Sequence, residues 1–206
     1  MADRRWSPRD RMVYGAAQLV RERGVTGTGV RDVVERSGSP RGSFQHYFPG
    51  GKDQLIGEAL LWSGDFAARQ VTGYADTARR PSPSRLFAHL AAQWRDELRA
   101  RDFARGCPVM ATAADVAASG SPVTGPLREA LSRWDGAIVD ELVRLGIPRR
   151  RATPLATLML SALEGAILLA RVRRDVRPLA TVVRELDPLL DAAAGRPGPQ
   201  PRRVRS

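Results

Sequence analysis

The sequence has one cysteine, Cys107, one lysine, Lys52, and two histidines, His46 and His89. A lone thiol excludes an intrachain disulfide, and a cysteine-rich zinc site would need more thiols. Two histidines are too few for most metal or proton-shuttling sites. Aromatic residues make up only 6% of the chain. Long apolar runs are also scarce: the longest, Leu155 to Ala170, is interrupted by Glu164 and falls short of a typical membrane span. No apolar stretch follows the charged opening MADRRWSPRDR, so a secretory signal is not expected and a cytoplasmic location is. No alternating β-type run occurs, and there is no internal repeat.

What is there is ordinary in amount and unusual in sign. The 206 residues are 43% hydrophobic and 27% charged, enough for one or two domains with a real core. The formal net charge is +11. That sign favours an anionic partner, nucleic acid first and a membrane surface second. Nearly all the basic residues are arginine, whose codons are mostly GC-rich, so charge by itself is a weak argument.

Helical periodicity dominates the chain. Met12, Ala16, Leu19 and Val20 follow a Ser7-Pro8 start, and Gly24 stops that helix. A short second helix carries Val30, Val33 and Val34. After Ser37-Gly38-Ser39-Pro40, a third carries Phe44, Tyr47 and Phe48 until Pro49-Gly50-Gly51 breaks it. A long helix from about Lys52 buries Leu55, Ile56, Ala59, Leu60 and Phe66. Further helices are expected after Pro81-Ser82-Pro83, after Cys107-Pro108, and after Gly120-Ser121-Pro122. Two more run from about Ala152 to Arg173 and through Leu179 to Leu190. The expected fold is all-α: a three-helix N-terminal unit over residues 1–51, then a larger helical unit over 52–194. The tail 195–206, rich in proline, glycine and arginine, is expected to be disordered.

Residues 28–48 have the anatomy of a helix-turn-helix, two short helices joined by a tight turn at Gly38. Val33, Val34, Phe44 and Phe48 can pack the pair onto the first helix. Arg41, Gly42, Ser43, Gln45 and His46 are then left exposed, a set suited to duplex DNA. Arginine forks onto guanine, glutamine onto adenine, and glycine admits close backbone approach. Thr28, Tyr47 and Lys52 lie near helix ends, where hydroxyls, amides and cations fit phosphates.

The stretch RDRMVYGAAQLVRERGVTGTGVRDVVERSGSPRGSFQHYFPGGKDQLIGEAL, residues 9–60, resembles the TetR family of bacterial transcriptional regulators. The resemblance is carried by Gly24, Thr28, the run Gly42-Ser43-Phe44-Gln45-His46-Tyr47-Phe48, and Lys52. Gly50-Gly51 ahead of that lysine, with Gly106-Cys107-Pro108 downstream, looks like a subgroup of drug- and flavonoid-responsive repressors. Gln45 stands where many members have tyrosine, so an operator sequence is not carried over. The resemblance implies a homodimer that binds a double-stranded DNA operator and is released by a small-molecule inducer, with no cofactor. It places Arg41, Gly42 and Gln45 at base edges, and Thr28, Ser39, His46, Tyr47 and Lys52 at phosphates.

The second unit offers Trp62, Phe66, Trp94, Phe103, Met110, Trp134 and Ile138 as candidate ligand-binding residues, which fits an apolar or aromatic inducer. Helix 152–173 is apolar nearly all round, so it needs burial on two sides. A partner subunit could supply one. The expected dimer interface is Leu155, Leu158, Met159, Ala162, Ala166 and Leu169 on that helix, with Val182 and Leu186 on the last. Two alternatives are an architectural DNA-binding protein with little sequence preference and, with less support, a small-molecule enzyme. Against the enzyme, there is no His-Glu-x-x-His or Gly-x-Ser-x-Gly, and Gly51-Lys52 runs into Asp53 rather than the Ser or Thr of a P-loop.

Overall fold

The first helix, α1 (Pro8–Arg23), starts where Ser7 accepts a hydrogen bond from the Asp10 amide and Pro8 pre-sets the first turn. It ends at Gly24, whose φ of +73° carries the chain out of the helix. In this computed structural model the described residues are 6–116 and 120–194, and no strand occurs among them. The tail 195–206, expected to be disordered, lies outside them.

The described residues form ten α-helices in all. After α1 come α2 (Val30–Ser37), a 3-10 turn at Arg41–Ser43, α3 (Phe44–Tyr47) and α4 (Gly51–Val71). Then come α5 (Tyr74–Thr77), α6 (Pro83–Ala100), α7 (Pro108–Val116), α8 (Thr124–Arg144), α9 (Arg149–Arg173) and α10 (Arg177–Ala193). The third helix expected from sequence is thus a 3-10 turn running into one α turn. The single-turn α5 carries no apolar period that a sequence reading could use.

One apolar core runs through the whole arrangement. Helix α1 is buried almost all round, from Met12 through Val20, because α2, α4 and α7 all pack on it. Helix α4 lies against α1 and, more extensively, along α8. Close approach of α4 and α8 depends on Gly64, where a Cβ would come within 2.7 Å of the Ala130 backbone. Two acidic groups tie helices together. Glu141, 2% exposed, accepts from the Gly73 and Ala75 amides at the start of α5 and from Arg144. Asp191 of α10 accepts from the amide and hydroxyl of Ser84, which fixes the start of α6.

Helix α9 is 25 residues long and apolar enough to cross a membrane by length and composition. Here it packs against α8 and α10, burying Ala152, Leu155, Ala156, Met159, Leu163, Ala166, Ile167 and Ala170. Three of the expected interface residues, Leu155, Met159 and Ala166, therefore face the subunit's own interior. The outward stripe is Leu158, Ser161, Gly165, Leu168, Leu169 and Val172, at helical spacing and exposed. Ala162, and Val182 and Leu186 of α10, are half-buried. An all-round apolar sequence does not say which leucine faces in. Packing by α8 and α10 decides it.

Candidate nucleic-acid interface and effector cavity

Gly38 makes the tight turn between α2 and the reading segment. Its φ of +60° is the left-handed conformation, and its amide closes α2 onto the Val34 and Glu35 carbonyls. Phe48 anchors the segment from below. It is fully buried, stacked on Phe44 at 5.5 Å, with the Arg9 guanidinium 5.4 Å from its ring centre.

With the aromatics turned inward, Gly42, Gln45 and His46 are exposed, and Ser43 and Tyr47 partly so. Gly42 faces open space: a Cβ built there meets nothing within 4 Å. The Gln45 amide reaches the Pro49 carbonyl only at 3.5 Å, while Ser43 donates to Pro40 at 2.6 Å. His46 packs edge-on against Tyr47. Of Arg41 the backbone alone is described.

Three expected phosphate contacts have internal partners. Thr28 is 1% exposed and its hydroxyl donates to the Gly24 carbonyl at 2.6 Å, so its side chain does not reach solvent. That hydroxyl closes the turn between α1 and α2 instead of meeting a phosphate. Lys52 donates to the Val25 carbonyl at 2.7 Å, tying the start of α4 to the same turn, and its partial exposure leaves room for a second contact. Ser39 reaches the Pro8 carbonyl at 3.4 Å.

A cavity of about 360 Å³ lies between α1, α4, α6, α7, α8 and α9. Four of the seven expected ligand-binding residues line it: Trp62, Phe66, Trp94 and Trp134. Trp62 and Phe66 are stacked at 5.5 Å, and Phe66 is 47% exposed rather than buried as the periodicity suggests. The other three lie elsewhere. Ile138 is core, Met110 packs against the core, and Phe103 sits beneath the Arg174 guanidinium in the α6–α7 loop.

The polar part of the wall was not legible beforehand. It includes Gln18 and Arg21 of α1, Gln70 of α4, Gln93 and Glu97 of α6, and Arg101 and Arg105 beyond it. Tyr14 of α1 adds an aromatic edge. Gln18, a polar residue inside an apolar run, was the one available hint. Cys107 also lines the cavity and lies against the carboxyl of Glu164. Burial pushes the Cys107 thiol well above its usual value, so it stays protonated. Burial raises Glu164 to about 7, and its Oε1 has no hydrogen-bond partner.

The cavity wall is joined to α2 and to the turn before it by short polar links. Arg21 and Gly106 exchange two hydrogen bonds at 3.0 Å, guanidinium to carbonyl and amide to carbonyl. Arg105 donates to Glu22 at 2.9 Å, and the same carboxylate takes two bonds from Arg36 of α2 at 2.9 Å. Burial works against the Glu22 charge, but these two guanidiniums hold its pKa below the ordinary value. At the far end of α7, Asp115 accepts from the amides of Val25 and Thr26.

Known proteins share both halves. Residues 13–59 match the family model for bacterial regulatory proteins of the tetR family. Residues 83–185 match that of the LmrA/YxaF-like transcriptional regulator C-terminal domain. An HTH-type transcriptional regulator of Mycobacterium tuberculosis is 40% identical over 188 residues, covering 89% of this chain and 94% of that protein. The regulator YxaF of Bacillus subtilis is 27% identical, covering 90% and 96%. A TetR transcriptional regulator of Legionella pneumophila has the same fold, with a TM-score of 0.78 at 17% identity over 91% of this chain and all of that one. The chain belongs to the TetR family of bacterial transcriptional regulators, with an LmrA/YxaF-like C-terminal domain.

Proposed function

We propose that the chain is a dimeric, ligand-released repressor acting in the cytoplasm. Residues 1–51 read an inverted-repeat operator, and 52–194 bind an apolar or aromatic inducer and form the dimer. The observation that carries this is the continuity between cavity and reading head. Helix α1 supplies cavity wall through Tyr14, Gln18 and Arg21 and also carries Glu22, which holds Arg36 of α2. A ligand that moves α1 or the Arg105 loop therefore repositions α2 and the segment behind it.

Gly42, Ser43 and Gln45 meet the major groove, with Arg41, while Ser39, His46, Tyr47 and Lys52 hold the backbone. Two copies, joined through the outward stripe of α9 and the adjoining face of α10, address half-sites on the order of 34–36 Å apart. The inducer shifts the population toward a spacing the groove does not match.

Gel shifts with DNA from upstream of the gene, against random DNA at fixed salt, test this. Preference for the upstream DNA is expected, and Arg41→Ala and Gln45→Ala should change it. Equal affinity for both DNAs would favour an architectural role instead.

A further inference from the structure

The cavity carries more positive charge than its carboxylates balance. Arg21, Arg101 and Arg105 lie on its wall against one acid, Glu97. Glu97 is paired with Arg21 at 2.9 Å. The acid serving Arg105 is Glu22, which Arg36 already holds with both nitrogens. The side chain of Arg101, the residue that caps the C-terminal end of α6, has no hydrogen bond or ion pair to any described residue, and Arg101 is exposed. Burial lowers the Arg21 pKa, and Arg105 repels the Arg21 charge further while Glu97 supports it. Four guanidiniums, Arg21, Arg36, Arg101 and Arg105, thus share two carboxylates, and the shortfall falls on Arg101. Around the cavity are flat faces: the stacked Trp62 and Phe66, Trp94 with Arg21 at 5.5 Å from its ring centre, and Trp134.

We propose that the effector is an aromatic acid, a flat ring system bearing one carboxylate or equivalent anionic group. Its rings lie among Trp62, Phe66, Trp94 and Trp134, and its anion is held by Arg101 and Arg105. The inference rests on the cavity being the effector site. It adds that a neutral aromatic of the same shape is discriminated against, because it leaves the Arg101 guanidinium without a counter-ion.

Calorimetric titration of the full chain with anthracene-2-carboxylate and with the neutral anthracene-2-carboxamide tests it. The acid is expected to bind at least tenfold more tightly. Arg101→Gln changes an exposed side chain with no internal partner, so the fold is retained. It should weaken the acid at least fivefold and leave the amide within twofold. Equal binding of acid and amide, or an equal loss of both in R101Q, overturns the anionic class while leaving the cavity as the effector site. Failure of both probes to bind at millimolar concentration removes both assignments.

Discussion

The carboxylate of Asp115, at the far end of α7, accepts a 2.7 Å hydrogen bond from the backbone amide of Val25, ninety residues earlier in the chain. The other end of α7 begins at Pro108, on the cavity wall. One helix of nine residues therefore touches the cavity at its start and the turn between α1 and α2 at its end. Asp115→Ala leaves the Val25 and Thr26 amides without that acceptor. Operator affinity should fall by about tenfold, in line with loss of a charge-assisted hydrogen bond, with effector affinity little changed. Paired gel-shift and calorimetric measurements check this.

Gly42 separates folding from the proposed DNA contact. A methyl group there meets nothing in the subunit, and alanine favours helix over glycine by up to about 1 kcal/mol. Gly42→Ala should melt no lower than the native chain yet bind operator at least tenfold more weakly, since the added Cβ stands between backbone and base edges. Scanning calorimetry and gel shift on one preparation give both answers.

Glu164 predicts a pH dependence of stability. Its pKa rises from 4.5 to about 7 on folding, so between those values the folded chain holds more protons than the unfolded one. Stability should therefore fall as pH rises through that window, by on the order of 2–3 kcal/mol between pH 5 and pH 8. Glu164→Gln removes the titration. Urea denaturation should show the variant losing far less stability over that range than the native chain.

The proposed dimer through the outer stripe of α9 should break without unfolding of the subunit when that stripe is charged. Leu168 and Val172 are 61% and 76% exposed in the single subunit. Leu168→Glu should leave the helical far-ultraviolet spectrum intact and weaken self-association at least a hundredfold, as seen by sedimentation. In the proposed dimer, two copies of the new carboxylate would have to be buried across the interface.

The legible parts of the sequence were those with local causes. Ser7-Pro8, Gly24 and Gly38 mark starts and stops through capping and left-handed backbone, and the structure has them in those roles. Phe44 and Phe48 were legible as inward-facing aromatics, which leaves Gly42, Gln45 and His46 outside. The rest depends on neighbours distant in sequence. Leu155 and Leu158 are chemically identical and one turn apart, and only the packing of α8 and α10 turns one in and leaves the other out. Thr28 looked like a phosphate ligand because its hydroxyl's partner, Gly24, is a backbone carbonyl that no motif displays. The cavity's charge was hidden for the same reason: Arg21, Arg101 and Arg105 are three among many arginines until the fold gathers them.

The most direct test is selection by the purified chain from a library of random-sequence duplexes. A dimer presenting two copies of the Arg41–Tyr47 segment should enrich a palindrome whose half-sites are centred about 10 base pairs, or a small multiple of that, apart. Enrichment of no motif, or of a single asymmetric site bound by one subunit, would contradict the account.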